Sequence, residues 1–150
     1  MDYWREIGLK SSVKKLATVD KSFCVLRDEF RRQHSPNISK NGMLLIFDNE
    51  GSDEKFGESR IVQFDLKKNK FNPDFDGNEN FFFESDIRGR IQIFNNQIYV
   101  TSSQQGEVFK LNCVNENLKR CEPEIIFSSN TEGKSNSIFV ADFYNKDFFT

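Results

Sequence analysis

The sequence predicts an all-β fold, and three observations lead to this prediction. From His34 onward, the 150-residue chain becomes a series of short β-type runs separated by turn residues. Two of these runs, together with the turns before them, recur at an offset of 54 residues. The 17 Phe residues, against one Trp and three Tyr, stand mostly beside Ile and Val, which is typical of a core packed from strands.

The N-terminal segment is the least regular part of the chain. Apolar residues occur there at helical spacing, so we expect a short helical or irregular lead-in over residues 1–33. The strands then occupy residues 34–150, and the length of the chain fits one domain. The predicted strand runs are GMLLIFDN, SRIVQFDL, NFFFES, RIQIF, QIYVTSS, EVFKLNCV, EIIFSS and SIFVADF.

The repeat indicates the architecture. Residues 41–46 match residues 95–100, and residues 137–140 repeat the strand 40 residues later. A turn, an apolar strand and an alternating strand that recur at this spacing are typical of β-propeller blades, so the chain holds two to three blades. Because propellers close with about four to eight blades, we expect self-association or further blades of a longer chain to complete the ring.

Composition excludes several classes of function. The 21 Lys and Arg residues nearly balance the 23 Asp and Glu residues without forming a long block of one sign, so nucleic acid is not an expected partner. No apolar run is long enough for a membrane span, and the N-terminus lacks the apolar stretch of a secretory signal. Three cysteines and one histidine fit no zinc pattern, so no metal site is predicted.

Two of the cysteines are candidates for a disulfide. Cys113 and Cys121 flank a polar segment that suits a hairpin loop, so a cross-strand bond can join them in an oxidising compartment. Buried or free thiols are the alternative, and the sequence leaves both open.

A set of short motifs adds a family resemblance. In chain order they are QH at 33–34, NG at 41–42, FDN at 47–49 and SRIVQFDL at 59–66. In this order they resemble the arylsulfate sulfotransferases, and residues 89–111 are similar to the next blade of that family. The likeness covers roughly residues 30–111, in the C-terminal propeller portion of the family.

The resemblance implies a fold and a reaction. The expected protein is a six-bladed propeller, periplasmic or secreted, that moves a sulfuryl group from a phenolic sulfate to another phenol through a sulfohistidine, with no cofactor. His34 would be the catalytic residue, since a neutral imidazole is a competent nucleophile. Cationic and N–H donors must surround the sulfuryl oxygens, and the candidate substrate-binding residues are Arg32, Asn49, Arg60 and Arg90.

Each candidate residue also has a structural interpretation. His34 can be a loop residue that bonds a backbone carbonyl, and Asn49 can belong to an Asx-turn. Arg60, at the start of a strand, can form a structural ion pair. The acidic segment 50–54 is a poor setting for an anion, and the chain has no second histidine. A non-catalytic β-propeller binding or interaction module, or a secreted arc closed by self-association, are therefore the alternatives to the enzyme.

Overall fold

The fold is all-β, as predicted. In this computed structural model, the described residues are 30–49, 57–114, 117–132, 134 and 136–145. Sheet 1 has four antiparallel strands in chain order: β1 Gln33–Ile38, β2 Met43–Asp48, β3 Arg60–Asp65 and β4 Lys70–Phe75. Sheet 2 repeats this arrangement: β5 Arg90–Phe94, β6 Gln97–Ser102, β7 Glu107–Cys113 and β8 Cys121–Ser128. Neither sheet closes on itself within these ranges.

The structure does not describe most of the predicted lead-in, nor the acidic segment. Of the segment 1–33, residues 1–29 lie outside the described residues, and so does the acidic segment 50–54. One turn of 3₁₀ helix, Leu118–Arg120, is the only helical element in the part of the chain that the structure describes. No helix in that part is long and apolar enough to cross a membrane.

Edge strands carry all three prolines of the sequence. Pro36, Pro73 and Pro123 lie in β1, β4 and β8, each at the border of its sheet. Proline has no N–H to donate to a neighbouring strand, so it is tolerated at an edge and excluded from the centre of a sheet. The central strands β2 and β3 are instead nearly continuous buried apolar runs.

The predicted runs at 80–85 and 137–143 do not form strands. Residues 81–85 belong to the connection between β4 and β5, which continues to Gly89. At Gly89 φ is 112°, and an added Cβ would lie 2.7 Å from the Phe47 ring. This close approach excludes a side chain at position 89 and brings the connection onto the face of sheet 1. Two of the three phenylalanines of NFFFES, Phe81 and Phe83, are therefore buried between the sheets instead of belonging to a paired strand.

The main core lies between the two sheets. Strands β2 and β3 contribute Leu45, Phe47 and Ile61, and the connection adds Phe81 and Phe83. Sheet 2 supplies the facing apolar side chains of Ile91, Val100, Phe109 and Leu111. A second cluster covers the opposite face of sheet 1 and consists of Leu44, Ile46, Val62 and Phe64. Sheet 1 is thus apolar on both faces, which explains its unbroken runs.

Side-chain-to-backbone hydrogen bonds fix how the sheets stack. Asn37 Nδ2 on β1 donates to the carbonyl oxygen of Ile91 on β5 at 2.7 Å. One repeat later, Gln92 Nε2 on β5 donates to the carbonyl oxygen of Phe143 at 2.8 Å, and Phe143 N donates to Gln92 Oε1 at 2.7 Å. Residues 136–145 therefore lie against sheet 2 in the way that β5 lies against β1.

A disulfide joins Cys113 at the end of β7 to Cys121 at the start of β8. The two cysteines are 8 residues apart, so the bond restricts a short loop of the unfolded chain. We expect its reduction to lower the free energy of unfolding by about 2.5 kcal/mol. Urea denaturation with and without reductant measures this, and a Cys24→Ser background leaves only this pair. Equal stability in both conditions would contradict the expectation.

Candidate functional site

His34 lies at the start of β1, on the border of sheet 1. It stands opposite Phe47 on β2, and opposed residues share a face, so His34 is on the face turned toward sheet 2. Its side chain is exposed, yet the surrounding protein removes part of its hydration and lowers the pKa of the imidazole below the usual 6.5. His34 is therefore neutral at pH 7 and accessible to a small molecule.

Arg32 is the predicted substrate-binding residue nearest to His34 in the sequence. Its Nη1 donates to the carbonyl oxygen of Asp86 at 3.3 Å, and its φ is 54°. This contact ties the entry of β1 to the connection between the sheets. The guanidinium is exposed, and Arg32 comes directly before β1, two residues ahead of His34 in the chain.

Arg60 lies on the opposite face of sheet 1, between two carboxylates. Its Nε and Nη2 donate to Asp48 Oδ2 at 3.1 and 3.0 Å, and its Nη1 donates to Asp74 Oδ2 at 3.1 Å. Asp48 is fully buried and also accepts the Arg31 N–H at 2.7 Å. Burial raises the pKa of both carboxyl groups, and Arg60 opposes the rise. The geometry is that of a structural ion-pair network.

Asn49 is buried between the sheets rather than open to a ligand. Its Nδ2 donates to the carbonyl oxygens of Ser85 and Arg88, the latter at 2.8 Å. Ser59 Oγ donates to the carbonyl oxygen of Asn49 at 3.0 Å. Asn49 Oδ1 is buried and has no partner among the described residues. The side chain thus holds the connection between the sheets against the end of β2.

Arg90 is the first residue of β5 and pairs with Asp142. The distance from its Nε to Asp142 Oδ1 is 2.6 Å. Because Ile91 faces sheet 1, the neighbouring Arg90 faces the other side of sheet 2. The structure therefore places His34, Arg60 and Arg90 on three different surfaces and buries Asn49. Arg32, two residues from His34 in the chain, is the remaining candidate.

The sequence did not single out a cleft at the other end of the sheets. It has a volume of about 320 Å³, within the range of small-molecule sites. Sheet 1 contributes Ser39, Lys40, Asn41, Met43, Leu45 and Gln63 to the lining. Sheet 2 contributes Ile93, Asn96, Gln97, Ile98, Leu111 and Cys113. The repeated turns at 41–42 and 95–96 were the available signal, because the same turn of each sheet reaches this cleft.

Two tight turns with positive φ values border this cleft. Asn95 and Asn96 have φ values of 49° and 61°, as a two-residue type I′ hairpin between β5 and β6 requires. In the β1–β2 turn, Gly42 has a φ of 86° and its N–H donates to the carbonyl oxygen of Ser39 at 3.0 Å. Both turns are tight, so they hold their amide side chains on short, fixed loops.

The edge of sheet 2 carries a different surface feature. Ile125, Ile126 and Phe127 in β8 are exposed on the last strand of the sheet. An apolar edge strand is a template for pairing with a further strand. Self-association and further blades of a longer chain stay predictions, and either could use this edge strand for pairing.

Comparisons with known proteins identify no relative. No family model, no curated protein and no solved structure matches the chain. Among the residues that the structure describes, no group of three or more His, Cys, Asp or Glu side chains forms a potential metal site. The function is therefore argued from the geometry alone.

Proposed function

We propose that the chain is a non-catalytic binding module built from two successive blades of a β-propeller. The repeated attachment of one unit to the next supports this architecture. Asn49 donates to the carbonyl oxygen of Ser85, and Ser103 Oγ donates to that of Phe139 at 3.1 Å, in both cases across 36 residues. A bond that recurs at equivalent places of two sheets is expected when successive units stack in the same way.

The position of Arg60 carries the proposal that the module lacks catalysis. A guanidinium that binds a sulfate must offer its donors to the ligand, whereas three donors of Arg60 point at Asp48 and Asp74. Arg90 is likewise paired with Asp142, and Asn49 is buried. Three of the four predicted anion ligands therefore serve the fold.

Sulfuryl transfer at His34 is the second candidate, and the accessible neutral imidazole favours it. In this scheme an imidazole nitrogen attacks the sulfur of an aryl sulfate, an N–S bond forms, the aryl S–O bond breaks and phenolate leaves. A second phenol then loses its proton to solvent, and its oxygen displaces the imidazole from sulfur. Arg32 would stabilise the sulfuryl oxygens.

Incubation with para-nitrophenyl sulfate and phenol separates the two candidates. We expect a folded sample to release no nitrophenolate above the buffer rate and to show no sulfuryl adduct by intact-mass spectrometry. An adduct that peptide mapping places on His34, and that disappears in His34→Asn, would overturn the binding module in favour of the enzyme. Lys70→Gln is the control, because it changes an exposed charge on β4.

The pH profile adds a second criterion. Since burial lowers the pKa of His34, an enzymatic reaction would be constant near pH 7 and would slow as the pH falls through that lowered pKa. A background reaction of lysines or of buffer would lack this profile. A rate without this profile therefore counts for the binding module.

A further inference from the structure

The cleft is a slot between the two sheets, with both apolar and polar side chains in its lining. The apolar part consists of Met43 and the buried Leu45 of sheet 1, and of Ile93, Ile98 and the buried Leu111 of sheet 2. Facing sheets lie about 10 Å apart, and side chains fill most of that distance. A gap between two such layers is narrow in one direction and extended in the other two. A planar ring fits this shape, because it contacts both walls at about 3.5–4 Å.

The polar groups of the cleft indicate the charge of its ligand. The lining includes the amides of Asn41, Asn96, Gln97 and Gln63 and the hydroxyl of Ser39. Lys40 on the β1–β2 turn is exposed and is the only charged residue of the lining, which contains no carboxylate. The ammonium of Lys40 and the exposed amide N–H groups of Asn96 and Gln97 attract an anionic head, and the lining itself holds no acidic group that would repel it.

We infer that this cleft binds a small planar aromatic anion, with the ring between the sheets and the anionic group at Lys40. The inference rests on the proposed function as a binding module. It places the ligand at the end of β1 opposite to His34, since the cleft includes Ser39 and Lys40 beyond the strand whereas His34 lies at its start. A ligand held there does not reach the imidazole through this cleft.

Titration with naphthoate, followed by isothermal calorimetry and amide NMR shifts, tests the site. We expect saturable binding, shifts centred on the two turns, and weaker binding of neutral naphthol and of a non-planar cyclohexane carboxylate. Absence of saturation at millimolar concentration would overturn the inference. So would equal binding of all three compounds, because shape and charge would then not matter.

Variants locate the contact. Lys40→Gln should weaken naphthoate binding about two- to fivefold, the effect of one exposed charge pair, while naphthol binding stays the same. The matched control Lys70→Gln should leave both unchanged. Ile98→Phe should fill the slot and weaken both compounds roughly tenfold or more. If Ile98→Phe does not fold, the comparison of Lys40→Gln with Lys70→Gln and the NMR shifts test the site. An effect of Lys70→Gln equal to that of Lys40→Gln would overturn the site.

Failure of the cleft and failure of the proposed function give different results. A His34 adduct with no naphthoate binding would remove both. Naphthoate binding that survives His34→Asn, together with a His34 adduct in the unsubstituted protein, would keep the cleft and remove only the non-catalytic assignment. Absence of both signals would remove the cleft and leave the binding module with another surface.

Discussion

Phe109→Ala is expected to lower the free energy of unfolding by about 3–5 kcal/mol. Phe109 on β7 is fully buried, and its ring lies edge-on to Phe81 and Phe83 at centroid distances of 4.8 and 5.3 Å. Phe75 of β4 contacts the same ring at 6.2 Å. One truncation therefore removes contacts to sheet 1 and to the connection together, and urea denaturation monitored by circular dichroism measures the loss.

Phe82→Ala is the matched control for this prediction. Phe82 lies between two buried phenylalanines in the sequence, yet it is 55% exposed. Its truncation should change the stability by no more than about 0.5 kcal/mol. If the two variants lost equal stability, the apolar layer between the sheets would not be the main core. A large loss in Phe109→Ala alone would support the layer between the sheets as the main core.

The central strands were predictable because burial on both faces leaves an unmistakable pattern. β2 and β3 have apolar residues on each side, so GMLLIFDN and SRIVQFDL are apolar whichever way the strand is turned. The repeat offset was predictable for a related reason. A unit that stacks on its neighbour must present the same turn and the same buried strand at each step.

The edge strands were not predictable from their residues. QHSPNI of β1 and KFNPDF of β4 each contain a proline and several polar residues, which argue against a strand in the centre of a sheet. At an edge, the missing N–H of proline faces away from the ladder at no cost. Only the position of a strand within its sheet decides this, and a single sequence does not give that position.

The candidate site was also predictable only in part. The sequence drew attention to Asn49 and Arg60 as polar residues next to buried strands, but it could not assign them to a face. Successive residues of β2 point to opposite sides, so Phe47 faces the main core while Asp48 meets Arg60 on the other side. The cleft was not found because its lining comes from two turns far apart in the chain.

Arg60→Met is expected to lower the free energy of unfolding by about 3 kcal/mol at pH 7. The substitution leaves Asp48, which is fully buried, without its guanidinium partner, and Asp74 loses the same neighbour. Desolvation of an unpaired carboxylate then opposes folding. The double variant with Asp48→Asn removes the buried charge and keeps an acceptor for the Arg31 N–H. It should recover about 1 kcal/mol or more, measured as the coupling energy of a double-mutant cycle.

The free energy of unfolding of Arg60→Met should depend on pH. Burial already raises the pKa of Asp48 above the usual 3.8, and loss of Arg60 removes interactions that lower it. The folded state then binds a proton more readily than the unfolded state, so stability should rise as the pH falls through the raised pKa toward 3.8. Denaturation at a series of pH values from 7 down to about 4 should show this rise in Arg60→Met and a smaller one in the double variant. A stability that falls equally in both variants would mean that Asp48 is not the group that Arg60 neutralises, and Arg60 would then again be a candidate for binding an anion.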